Sequence, residues 1–143
     1  MIIAQDNGQR SYETNMAATL ARIEATHGDP SAALDYVTVA IRNYHDSGIT
    51  VQMHGSLAIL AVVLDRLGRY ESAATIAGSA RSAFNMSFIP ELNGAITRLR
   101  GVLGDQTYES LARSGKAMTA AAMVTYAFDQ IDEARAELNA VSE

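Results

Sequence analysis

The run Ser114-Gly115-Lys116-Ala117 has the ending of a phosphate-binding loop, where backbone amides and a lysine take up negative charge. The rest of such a loop is missing. Position 110 is Ser110 rather than glycine, Ala117 follows the lysine, and no strand pattern precedes the run. It therefore reads as a helix end, with Gly115 at the stop and Lys116 complementing the C-terminal dipole. The histidines are His27, His45 and His54; the last two lie nine positions apart across a helix break, not at the i, i+4 spacing of a helical metal pair. Gly78-Ser79-Ala80-Arg81-Ser82 lacks the closing glycine of a nucleophile elbow. No carboxylate has a motif partner that would poise its pKa for acid–base work. No catalytic, cofactor-binding or metal-binding residue is expected, and the chain does not read as an enzyme. Met53, Met86, Met118 and Met123 fit core filling better than a promiscuous apolar groove.

Composition narrows the remaining classes. A chain of 143 residues that is 48 % hydrophobic and 19 % charged is long enough for one domain with a real core. Net charge is −5, and the basic residues, ten Arg and the single Lys116, are scattered, so a nucleic-acid contact is not expected. Without cysteine there is no disulfide, thiolate nucleophile or cysteine-based zinc site. The start, Met1 to Asp6, lacks the pattern of a signal peptide, and the longest apolar run, Leu57 to Leu64, is far short of a membrane span. The expectation is a soluble cytoplasmic protein.

The elements that must position any site are helices. Gly28, Gly48, Gly68, Gly104 and Gly115 each follow a helical stretch, where a residue with positive φ is wanted. Asp29-Pro30, Pro90, Asp105 and Thr119 supply start signals. The pattern predicts seven helices, over 11–27, 30–46, 50–67, 69–85, 90–103, 106–114 and 119–140. Residues 1–10 read as a flexible lead-in, 11–140 as a single helical domain and 141–143 as a frayed tail. The last helix is amphipathic: Met123, Tyr126, Ala127, Ile131, Ala134 and Leu138 share one face, and Asp129, Asp132, Glu133 and Glu137 the other. That acidic face reads as solvated.

The chain also nearly repeats itself after 40 residues. Leu20-Ala21, Gly28, Ala33 and Ala40 fall on Leu60-Ala61, Gly68, Ala73 and Ala80. Such a period marks an array of helical hairpins, each burying its face against the next. The two copies resemble tetratricopeptide repeats, with small residues where the helices cross, Gly at the turn and Tyr70 where an aromatic usually follows it. The period is longer than usual for that family. Glu24 and Leu64 replace the aromatic of the first helix. A third unit over 90–115 is degenerate, with Glu109 where alanine is wanted.

The stretch Leu99 to Asp105, with Tyr108, Leu111 to Thr119 and Tyr126-Ala127, resembles the ending of large bacterial regulators. Those join an NTP-hydrolysing module, sometimes a cyclase-type domain, to tetratricopeptide-like repeats and often a LuxR-type DNA-binding unit. Neither the ATPase nor the DNA-binding module is in this sequence. The resemblance implies a right-handed, all-α stack of hairpins with a long C-terminal capping helix, acting as a non-catalytic interaction or regulatory module. If the repeats curve as those do, the first helices line a concave side. That side would expose Asn15, Arg22 and Thr26 from one copy and Asp65 and Arg66 from the next. Arg22 and Arg66 would clamp an acidic peptide end. The expected partners are a protein or peptide and a second copy of the chain, a homodimer, with no direct nucleic-acid or membrane contact. The alternative is a domain that senses a small apolar effector in a pocket between hairpins.

Overall fold

Asp29 leaves the helical region, as a residue before proline tends to. Its carboxylate accepts from the Ser31 amide at 3.1 Å while Pro30 supplies the first helical position. At Gly48 and Gly68, φ values of 72° and 80° let the amide of the following residue return to the helix it has left: Ile49 to the Tyr44 carbonyl at 2.8 Å, and Arg69 to that of Leu64 at 2.9 Å. These punctuation marks divide a computed structural model that describes residues 2–142, with the side chains of 2–11, 83, 84, 86, 141 and 142 left out. Among the described residues there are eight helices and no strand. They are α1 (Ile2–His27), α2 (Pro30–Asp46), α3 (Thr50–Arg66), α4 (Tyr70–Ala80), α5 (Ala83–Phe88), α6 (Pro90–Leu103), α7 (Asp105–Ala117) and α8 (Ala120–Ser142).

The helices stack as hairpins. α1 packs on α2 and α3 on α4, α2 joins the two pairs through α3, and α6 with α7 follows against α3 and α4. The repeated small residues do what their spacing demands. Ala21 and Ala61, Ala33 and Ala73, Ala40 and Ala80 are all buried where helices meet. α3 is central: Leu57 to Asp65 are buried without interruption, the mark of a helix surrounded on every side. Around it Leu34, Ile41, Ile76, Leu92, Leu99, Met123 and Ile131 complete the core.

The structure differs from expectation at four points. α1 is helical from Ile2, well ahead of the start near residue 11. The predicted fourth helix over 69–85 breaks at Arg81 and Ser82. Ser82 is extended and its hydroxyl accepts from the Asn85 amide at 3.1 Å, so it caps α5 instead of continuing α4. Asn85, buried, then donates to the Ala80 carbonyl at 2.6 Å and seals the end of α4. Gly28 and Gly115 do not have the positive φ expected of helix stops. Pro30 already ends α1 at Gly28, and α7 runs through Gly115 because a close crossing needs that glycine. A Cβ built on Gly115 would stand 1.8 Å from the Thr75 carbonyl oxygen, and one on Gly78 would stand 2.0 Å from that of Ala112. α4 and α7 thus touch backbone to backbone at two points, one turn apart.

The long C-terminal helix α8 covers the second helices of the first two hairpins. It lies on α2 and α4, where Arg42 stacks over Phe128 and Arg135 donates to Asp35 at 2.7 Å.

Candidate functional site

The side of the stack opposite α8 is built from first helices. The row Val51, Gln52, Gly55, Ser56 and Ile59 recurs on one face of α3 and forms the floor of a groove of about 370 Å³. Its walls are Asn15, Ala18, Thr19 and Arg22 of α1, and Asn85, Phe88 and Ile89 at the α5–α6 junction. The same face continues one turn on, where Val62, Asp65 and Arg66 floor a second groove of about 560 Å³ between α1 and α6.

A salt bridge separates the two. Arg22 of α1 reaches across α3 to Glu91 of α6, with Nε and Nη2 donating to the two carboxylate oxygens at 2.6 and 2.9 Å. This fork-to-fork pairing is the strong geometry for guanidinium and carboxylate. The Arg22 hydrogen bonds hold the Glu91 carboxyl below its ordinary range, partial burial opposing them, and the same contact raises Arg22.

The structure gathers the five sequence-predicted residues along this face and finds partners for them inside the fold. Asn15 accepts a hydrogen bond from the Tyr44 hydroxyl, which burial keeps protonated. Thr26 donates back to the Arg22 carbonyl at 2.9 Å. Arg66 donates to the carbonyls of Glu24 and Ala25, at 2.9 and 3.4 Å, and so finishes the end of α1. Asp65 has a side chain only 2 % exposed and takes both Nε and Nη2 of Arg98 on one oxygen, at 2.8 and 2.6 Å. Its other oxygen has no hydrogen bond. Arg22 and Arg66 are therefore not an open clamp for an acidic peptide end. An incoming carboxylate would have to displace Glu91 or two helix carbonyls.

Sequence reasoning missed the apolar part of the groove. Val51 and Phe88 are 57 % and 61 % exposed, beside the buried Ile59 and Ile89. A signal was present in Phe88-Ile89-Pro90, an apolar pair at a helix break, but it reads equally as core. Of the four methionines weighed as core or groove, Met53 and Met123 are fully buried and Met118 packs on the core. The Met86 side chain lies outside the described residues. The acidic face of α8 is partly engaged: Glu133 and Glu137 clasp Arg69 of the α3–α4 turn, with Gln130 completing the set.

The histidines do not converge: His54 Nδ1 donates to the Thr50 carbonyl at 2.9 Å within its own helix. Among the described residues no three His, Asp or Glu side chains cluster closely enough to hold a metal ion. Nor is any helix there long and apolar enough to cross a membrane. Compared with protein families, curated proteins and solved structures, the chain matches none.

Proposed function

We propose that this chain is a non-catalytic protein-interaction module of the tetratricopeptide-like kind, serving a bacterial signalling or transcriptional regulator. It takes a peptide into the groove between α1, α3 and the α5–α6 junction. The observation that carries this reading is the exposure of Val51 on the floor of the groove. A large apolar side chain exposed in a groove, as Val51 is, is what a partner's side chains cover. Apolar anchors, not a charge clamp, supply the affinity, because Arg22 is held by Glu91. Asn15 and Thr19 on the wall and Gln52 on the floor orient the peptide. The effector-sensing alternative is less well supported, because the methionines that would line a closed pocket, Met53 and Met123, are core residues.

The test is a peptide array probed with the labelled chain, followed by fluorescence anisotropy on the peptides that bind. Val51→Asp is expected to weaken binding at least tenfold, while Val102→Asp in the second groove leaves it unchanged. Equal binding by wild type and Val51→Asp, or no bound peptide at all, sinks the proposal.

A second surface supports self-association. Tyr12, Met16 and Ile23 recur on one face of α1 and are 66 %, 42 % and 51 % exposed. An outer hairpin with an apolar rather than polar face is one that stacks on something. Light scattering is expected to give a dimer that Met16→Glu with Ile23→Glu converts to monomer. A wild-type chain that stays monomeric at high concentration refutes this part.

A further inference from the structure

Among the described residues, seven of the ten basic side chains of this acidic chain are engaged. Arg22, Arg69, Arg98, Arg100 and Arg135 are in salt bridges, Arg66 caps α1 and Arg42 stacks on Phe128. Among the described residues three cations remain for which no such contact is found: Arg81, Arg113 and Lys116. All three line one pocket of about 230 Å³ in the cleft between α4 and α7. The one carboxylate there, Glu109, is bonded to Arg100, which lies outside the pocket lining. With Glu109 counted, the lining carries an excess of about two positive charges in a chain whose net charge is −5.

A second observation points the same way. Tyr108 lines the same pocket, is 1 % exposed, and its hydroxyl makes no hydrogen bond. A buried donor without an acceptor is costly, and such a group in a native fold calls for an explanation. Burial pushes the Tyr108 hydroxyl above its ordinary pKa, with Arg100 and Arg81 opposing, so it is a donor at neutral pH. The floor is Gly78 and Ala112, where the α4–α7 crossing leaves no side chain beyond a methyl to fill the space.

We propose that the α4–α7 cleft is a binding site for a phosphate group, free or as a small phosphomonoester. Arg81, Arg113 and Lys116 supply the counter-charge and the Tyr108 hydroxyl supplies a fourth donor. Three cations and a phenol around a space of this size match a compact dianion with several acceptor oxygens. Arg81 belongs to the end of α4, Arg113 and Lys116 to α7, so the anion ties the second hairpin to the third. The site is separate from the grooves on α1, α3 and α6, and it stands or falls independently of the peptide-binding reading.

The experiment is a titration of the whole chain, purified without phosphate, with inorganic phosphate and glycerol 3-phosphate at constant ionic strength. It is followed by backbone amide NMR and by thermal unfolding. Saturable shifts at Gly78, Tyr108, Ala112 and Lys116 are expected, with a melting temperature that rises with ligand concentration as linkage requires. Arg81→Gln with Arg113→Gln weakens binding at least tenfold. Tyr108→Phe weakens it about tenfold, the size of one charge-assisted hydrogen bond. Tyr108→Phe without ligand is at least as stable as wild type, because it removes an unpaired hydroxyl, so misfolding does not explain its loss of binding. A linear response matched by chloride, or undiminished saturation in the arginine variant, overturns the proposal.

Discussion

Replacing Gly115 by alanine tests whether α4 and α7 really meet backbone to backbone. In an ordinary exposed helix position the change stabilises by about 0.5–1 kcal/mol, because alanine loses less backbone freedom on folding. Gly101, in α6 with nothing within 4 Å of an added Cβ, is that ordinary position. At Gly115 the new methyl would stand 1.8 Å from the Thr75 carbonyl oxygen, a backbone atom that cannot rotate away. The helices must part by more than roughly 1 Å, and a gap of that size forfeits a quarter to a half of each dispersion contact across the crossing. Overpacking of this kind costs about 1–3 kcal/mol, which outweighs the propensity gain. Gly115→Ala and Gly78→Ala are each expected to destabilise by about 1–2 kcal/mol net, and Gly101→Ala to stabilise by about 0.5–1 kcal/mol. Urea unfolding followed by circular dichroism reads this as opposite shifts of the midpoint at an unchanged slope. A Gly115→Ala chain as stable as Gly101→Ala would show that the helices are not in backbone contact.

Other contacts give further expectations. Arg22→Gln should cost about 0.5–1 kcal/mol at neutral pH, discounted because Arg22 is 41 % exposed. Since Arg22 lowers the folded-state pKa of Glu91, the difference from wild type is present above the carboxylate range and vanishes as pH falls through that depressed value. Urea midpoints from pH 7 to 3 that keep a constant difference would refute this. Arg98→Ala leaves the buried Asp65 carboxylate without its cation. A loss of about 1–2 kcal/mol is expected, below the usual cost for a buried pair because Arg98 is largely exposed, and adding Asp65→Asn should recover much of it. Asn85→Ala removes the group that seals the Ala80 carbonyl and should cost about 1–3 kcal/mol, read by thermal unfolding. An unchanged melting temperature would mean that solvent satisfies that carbonyl.

Much of the stack was legible because its signals are local. Asp29-Pro30 caps α2 by a bond two residues long, and the alanines at 21, 33, 40 and their partners 40 positions on are buried as the repeat requires. The break at Arg81 and Ser82 was not legible. Ser82 can cap a helix, but whether it does depends on Asn85 finding the Ala80 carbonyl. For Gly115, two rules compete for the same residue. Glycine stops a helix by adopting positive φ, or it lets a second helix approach, and only the presence of Thr75 across the gap decides between them.

The candidate site divides along the same line. The sequence by itself determined an all-helical chain and its hairpin repeat, since those follow from period, capping and spacing, whereas the residues on the first-helix face were expected only from the resemblance to tetratricopeptide repeats. It could not show that Arg22 is tied to Glu91, 69 residues away, or that Arg66 ends α1. Nor could it bring Arg81, Arg113 and Lys116 around a tyrosine whose buried hydroxyl has no hydrogen bond. A side chain's reach is a few ångströms and its charge seeks any partner within it, so what each arginine does was decided only when the packed helices fixed its neighbours.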